Sequence, residues 1–261
     1  MWMIYFLKWW EVMNEFLEEC RRNLSEMWKY KFNLIFANLG MLIIFYGLTT
    51  YIYEDSKDIL IFLLFIWYFA THGIMNSSYE LENEIYDRTI VTIIQSKVSV
   101  LNILIKRAAI QIIMDLIKAV PLFLILYYIS DVKFYEFKRI DYIVIAITFG
   151  IINSYVLGLL FSGLVLIFRR VTNVISLSYY YILFYGGLTV DINTPVLSFI
   201  NNTIFPYARA RSLIEQSKIG SGGLNIIVAL LIQTVVLYLL AFLFQKLCLK
   251  YSLKKGSIYG I

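Results

Sequence analysis

This sequence predicts an all-α integral membrane fold, and three observations carry that expectation. Sixty per cent of the residues are hydrophobic and only 16% are charged, where a soluble domain carries about a quarter charged residues. Several unbroken Ile/Leu/Phe/Tyr runs reach or exceed the ~20 residues that cross a bilayer. Those runs lack the polar–apolar alternation in ~10-residue segments that marks a membrane β-barrel. The 261 residues read as one transmembrane domain, 1–261, with no internal repeat and no separate soluble unit.

The first expected element is an amphipathic helix over residues 11–31. Val12, Phe16, Cys20, Leu24 and Met27-Trp28 form an apolar stripe, and Glu15, Glu18, Glu19, Arg21, Arg22 and Glu26 fill the other face. A broad stripe with mixed charge suits a helix lying in the membrane interface, and Trp2, Trp9, Trp10 and Trp28 suit the headgroup level. A soluble helix packed on a partner is the alternative. Met1–Trp10 does not read as a cleavable leader, because its one charge, Lys8, follows the apolar residues and no small-residue site ends it.

Six spans are expected, over about 32–53, 59–77, 108–129, 142–168, 174–190 and 224–247. The short link Glu54–Asp58 makes the first two a hairpin. With both termini on the cytoplasmic side, inner segments carry about twice the Lys and Arg of outer ones, the bias that sets orientation in a plasma membrane. The net charge of +5 is dispersed over loops and span ends, so the basic residues face anionic lipid and no nucleic acid partner is expected. Cys20 and Cys248 fall on inner segments, where a disulfide is not expected.

Residues 79–107 form the longest polar interruption. Acids stand at alternate positions, Glu80, Glu82 and Glu84, followed by Asp87-Arg88-Thr89. Ile90, Ile93, Ile94, Val98, Leu101 and Leu104 then keep the three-and-four spacing of one helical face, broken by Ser96, Lys97 and Ser99. A short amphipathic helix pair between two spans is suited to take force from the cytoplasm. Residues 191–223 are too many for a tight turn and too apolar for a free loop. Val196–Phe205, between Pro195 and Pro206, is expected to dip into the outer leaflet and return through Tyr207–Ile214 as a re-entrant helical pair, shielded by protein.

The inventory of chemistry is short. No Gly-x-x-x-x-Gly-Lys-[Ser/Thr] phosphate loop occurs, and with His72 as the one histidine neither a metal centre nor a Ser/His hydrolase is supported. Asp115 and Lys118 lie three apart in the third span and can pair. Arg107 to Lys118 is roughly 16 Å of helix, so the pair should face protein or water. It serves either a proton or substrate path or the packing of the span. Ala146, Gly150, Ser154, Gly158 and Ser162 form a small-residue ridge for close helix approach, within the chain or between protomers. Tyr179, Tyr180, Tyr181 and Tyr185 make the fifth span either a lining for an amphipathic substrate or a buried aromatic face.

This layout resembles the permease family of type-2 ABC exporters over nearly the whole chain. In that family the segment after the second span reads as acids, then Gly-Thr-Leu-Glu, a leucine run and Ser-Pro-Val-Ser. Here Glu82 and Glu84 match the acids, Thr89-Ile90 the Thr-Leu, Ile93-Ile94 the leucines, and Ser96, Val98 and Ser99 the close. Arg88 stands for the glycine, Val91 for the glutamate and Lys97 for the proline. Ile204-Phe205-Pro206-Tyr207 with Arg211 resembles the family's Asn-Pro-aromatic passage. The resemblance implies an export subunit without its own ATPase activity, coupled through Glu82, Glu84, Asp87, Arg88, Thr89, Ile93, Ile94 and Ser96–Ser99 to a cytosolic ABC ATPase. That partner would bind ATP and Mg. A second copy or a homologous permease would complete the translocation path. The alternative is a proton-coupled secondary transporter using Asp115 and Lys118, for which inverted repeats are not evident.

Overall fold

A computed structural model describes residues 2–51, 57–95, 99–130, 134–186, 194–203, 205–220 and 222–256. The described residues are almost wholly helical, with no strand among them. The helices are α1 (Trp2–Lys29), α2 (Lys31–Tyr51), α3 (Lys57–Tyr86), α4 (Thr89–Gln95), α5 (Val100–Ser130), α6 (Ile140–Phe168), α7 (Thr172–Tyr185), α8 (Pro195–Thr203), α9 (Tyr207–Ile219) and α10 (Leu224–Lys255), with a 3-10 turn at Phe134–Glu136. Five of them, α2, α3, α5, α6 and α10, are long and apolar enough to cross a membrane. The fifth expected span meets α7, whose 14 residues extend about 21 Å, short of a ~30 Å hydrocarbon core. Residues 187–190 of that span, the link 52–56 and residues 191–193 of the outer region lie outside the described residues.

The bundle is built on the crossing of α3 with α6, and the small-residue ridge is the reason. A Cβ on Gly158 would overlap the carbonyl oxygen of Gly73, and one on Gly73 would stand 3.1 Å from the backbone of Ser154 and Tyr155. The two backbones touch, as small residues in apolar helices allow. Ala146, Gly150, Ser154, Gly158 and Ser162 are all buried, so the ridge is used inside the chain. Next to it α10 packs on the other flank of α6 and α5 on the other flank of α3. α2 leans on α5, with Phe36 and Ile43 70% exposed on its outer side. Pro121 sits inside α5 without ending it.

α1 runs into α2 across the single residue Tyr30. The Tyr30 N–H donates to the Glu26 carbonyl (3.0 Å) and the Leu34 N–H to that of Tyr30 (3.2 Å). α1 starts nine residues before the expected helix and packs on α5. Among the side chains of α1 that are described, the inward ones are Phe16, Glu19, Cys20, Asn23 and Met27, while Leu24 and Trp28 from the expected stripe are exposed; Val12 of that stripe lies outside the described side chains. The stripe is therefore split, and the polar Glu19 and Asn23 are turned toward protein.

The expected helix pair in 79–107 is resolved differently. α3 continues to Tyr86 and α5 begins at Val100, with α4 the one helix between them among the described residues. The acids do not end α3 because groups on α5 and at the start of α7 donate to them, as described below. The apolar face is otherwise as spaced: Ile90, Leu101 and Leu104 are buried and Ile93 and Ile94 pack on the core. Ser96, Lys97 and Val98 lie outside the described residues.

At the opposite end, α9 lies along the first half of α6. The Tyr207 hydroxyl meets Ser154 Oγ (3.0 Å) near the middle of α6, and the Ser217 carbonyl accepts from the N–H groups of Lys138 (3.0 Å) and Arg139 (3.1 Å) at its start. Lys218 joins Asp58 of α3 (3.2 Å) to Glu136 (3.3 Å).

Candidate functional site

Three clusters of polar or aromatic side chains stand out, and each draws residues from helices far apart in sequence. The first surrounds α4. Arg107 of α5 pairs with Glu84 (2.8 Å) and reaches Glu80 (3.7 Å) on the last turns of α3. The Thr89 hydroxyl donates to the Glu84 carboxylate and, at 3.2 Å, to the Glu84 carbonyl. Glu82 points elsewhere: its carboxylate accepts the Val171 N–H (2.8 Å) and the Thr172 hydroxyl (3.0 Å). It thereby closes the N-terminus of α7, where unsatisfied N–H groups and the helix dipole favour an anion. Two of the acids expected to face a partner are thus engaged within the fold. Among the described residues, those that present outward here are Asn83, Tyr86, Asp87, Arg88, Thr89, Thr92, Gln95 and Ser99. Arg88 holds φ 60°, a left-handed conformation suited to glycine, at the position where the resemblance calls for one.

The second cluster is centred on Asp115, which has no exposed surface. Its Oδ1 accepts from Lys118 Nζ and Gln111 Nε2, both at 2.9 Å, and its Oδ2 from the Tyr155 hydroxyl of α6 at 2.5 Å. Charge-assisted bonds of this kind are the strong ones. Lys118 is 16% exposed and borders a cavity of about 290 Å³ with Glu26, Tyr30 and Asn33. The expected pair is therefore present and satisfied. His72, in contrast, meets Thr71 and the Tyr68 carbonyl through Nδ1 and packs on the Tyr68 ring (4.3 Å), all on its own helix.

The third cluster joins α7 to the α8–α9 turn. Asn201 donates to the Tyr185 carbonyl (2.6 Å) and accepts from the Tyr181 hydroxyl (3.3 Å), while the Phe205 ring lies 5.5 Å from that of Tyr181. Tyr180, Tyr181 and Tyr185 line an open apolar groove of about 500 Å³ with Leu177, Leu197 and Phe205. Pro195 opens α8 and Pro206 precedes α9, where Arg211 pairs with Glu215 (2.8 Å). The turn is fastened to α10: Arg209 donates to the Ala229 carbonyl (3.1 Å) and Gln233 Oε1 (3.0 Å), and Gln233 donates to the Thr203 carbonyl (3.1 Å).

Sequence reasoning missed several of these residues. Arg107, Gln111 and Asp115 follow at every fourth position, an i, i+4 row that was readable as one polar face. Glu80 and Glu84 form a second such row. Tyr155, Asn201 and Gln233 act across long separations and have no local signal. Among the described residues no group of three His, Cys, Asp or Glu side chains is placed to hold a metal ion. No protein-family model and no curated protein matches this chain.

Proposed function

We propose that this chain is the membrane subunit of an ATP-driven ABC exporter, set in the plasma membrane with both termini in the cytoplasm. A separate cytosolic ATPase supplies ATP and Mg, and a second permease copy or a homologue completes the path. One observation carries the reading: α4 is a short amphipathic handle between two long apolar helices, and Glu82 beside it is bonded to the start of α7. Force on α4 thereby reaches the helix whose tyrosines line the open groove. In this reading the fifth of six spans is built on α7. α8 and α9 are the re-entrant pair, supported by the Tyr207–Ser154 bond half-way along α6. α1 is the interfacial helix.

Purification of the tagged chain from its native membrane, with identification of a co-purifying ATP-binding-cassette subunit, tests this. Thr92→Arg with Gln95→Glu alters the exposed side of α4, leaving Ile93 and Ile94 in the core. The expected outcome is loss of the ATPase with the membrane chain still folded, and retention of an unchanged complex would refute the proposed handle. A second reading, proton-coupled secondary transport, is favoured by the buried Asp115–Lys118 pair. It requires flux driven by a pH gradient in vesicles that hold this chain and no ATPase.

A further inference from the structure

The Asp115 cluster is more than a neutralised pair, because polar space leads to it from one end of the bundle and an aromatic seal closes it from the other. A cavity of about 280 Å³ opens among α1, α3 and α5 beside Glu19, Asn23, Glu80, Glu84, Arg107 and Gln111. The cavity that Lys118 borders shares Asn23 and Gln111 with it. Each has room for on the order of ten waters. Gln111 therefore stands between the two spaces with its amide bonded to Asp115. On the other side of Lys118 the character of α5 changes. Ala119, Leu122, Phe123 and Leu126 are buried, and the Phe123 ring packs on Phe45 (5.4 Å), Phe65 (4.7 Å) and Tyr68 (6.2 Å).

We propose that Asp115 is a proton-binding site served by a one-sided access channel that starts between α1, α3 and α5 and continues between α1, α2 and α5, open at the α4 end and closed by the Phe45–Phe65–Tyr68–Phe123 cluster. A hydronium ion arriving through the polar cavities gives its proton to a carboxylate oxygen of Asp115. An O–H bond forms, a water molecule is left behind, and Lys118 stays an ammonium group. The site passes from neutral to a single positive charge, and the Lys118 ammonium is left facing the cavity it shares with Glu26 of α1. The groups that meet Asp115 are Gln111 and Lys118 of α5, Tyr155 of α6 and, within electrostatic reach, Tyr68 of α3. From α2 the nearby polar group is Asn38, which donates to the Lys118 carbonyl (3.4 Å). The site is independent of the energy source, since a chain driven by ATP and one driven by protons would each present it.

The test uses the full chain with Cys20→Ser and Cys248→Ser, reconstituted in phosphatidylcholine vesicles. Gln111→Cys is exposed to a membrane-impermeant cationic methanethiosulfonate from either side. Thr92→Cys and Ile219→Cys mark the two ends. Modification of Gln111→Cys only from the side that modifies Thr92→Cys is expected. Reaction from the Ile219→Cys side, or from neither, overturns the channel. Infrared difference spectra on acidification should show a protonated-carboxyl band that is lost in Asp115→Asn and displaced in Asp115→Glu, which serves if the asparagine variant does not fold. A band unmoved by both substitutions, or none at any pH where the chain stays helical, overturns the proton site. A purely structural pair would shift thermal stability and leave the spectrum unchanged.

Discussion

At the scale of single residues, Gly158 and Tyr155 occupy neighbouring turns of α6 and make opposite demands. Gly158 needs the absence of a side chain. Gly158→Ala is expected to force α3 and α6 apart and to cost about 1–3 kcal/mol, the usual penalty of overpacking, read as a lowered thermal midpoint in detergent. Tyr155 needs its hydroxyl. Tyr155→Phe removes one of three donors from a buried carboxylate and is expected to cost about 1–3 kcal/mol. Lys118→Met should cost more, about 3–5 kcal/mol, because it leaves the charge unpaired. Adding Asp115→Asn should recover part of that loss. Arg88 is a further test of conformation: Arg88→Val should be destabilising by about 1 kcal/mol or more, whereas Arg88→Gly should be tolerated because glycine adopts φ 60° freely. Of these residues, Asp115 and Lys118 were legible as a pair from their spacing alone. Tyr155 was not, because its partner lies 40 positions away and a tyrosine in an apolar run looks like any other buried ring.

The long helices were legible as elements because an apolar run of ~20 residues admits little else. Their ends were less so. Glu80, Glu82 and Glu84 read as the opening of a polar interruption after the second span, yet α3 persists through them because Arg107 of α5 pairs with Glu80 and Glu84 and the start of α7 donates to Glu82. Hydropathy records polarity and cannot record a partner on another helix. α7 itself illustrates the reverse case: a run apolar enough for a span is described as a helix of only 14 residues. The link between the two elements is testable. Glu82→Ala should weaken the first turn of α7 by about 1 kcal/mol, the worth of a lost cap. The measurement is faster amide hydrogen exchange at Ile175 and Ser176, with the midpoint of α6 unaffected.

For the whole molecule, composition and the length of the apolar runs were sufficient to give an all-helical chain with helices long and apolar enough to cross a membrane, and they could not give the order of packing. α3 and α6 are central because they carry Gly73, Gly150 and Gly158, where approach distance and not hydrophobicity selects neighbours. α2 and α10 are peripheral, with most of their apolar surface facing outward. At the α8–α9 end the bundle is closed by Lys218 between Asp58 and Glu136. These groups are partly exposed, so Lys218→Met should cost only about 0.2–1 kcal/mol. Its effect should appear as a salt-sensitive difference in thermal midpoint that vanishes at high ionic strength.

The contact of Gly73 with Gly158 sets a rule for movement in this bundle. Two rods whose backbones already touch can neither approach nor slide far without collision, but they can rock about the point where they meet. That point is a fulcrum. A displacement of the Glu82 end of α3 in one direction carries the Asp58 end in the other, as the two arms of a pair of scissors do. α7 is bonded to the first arm through Glu82 and α9 to the second through Lys218, so under the proposed function one pivot would turn a push at α4 into opposed motions of those two helices.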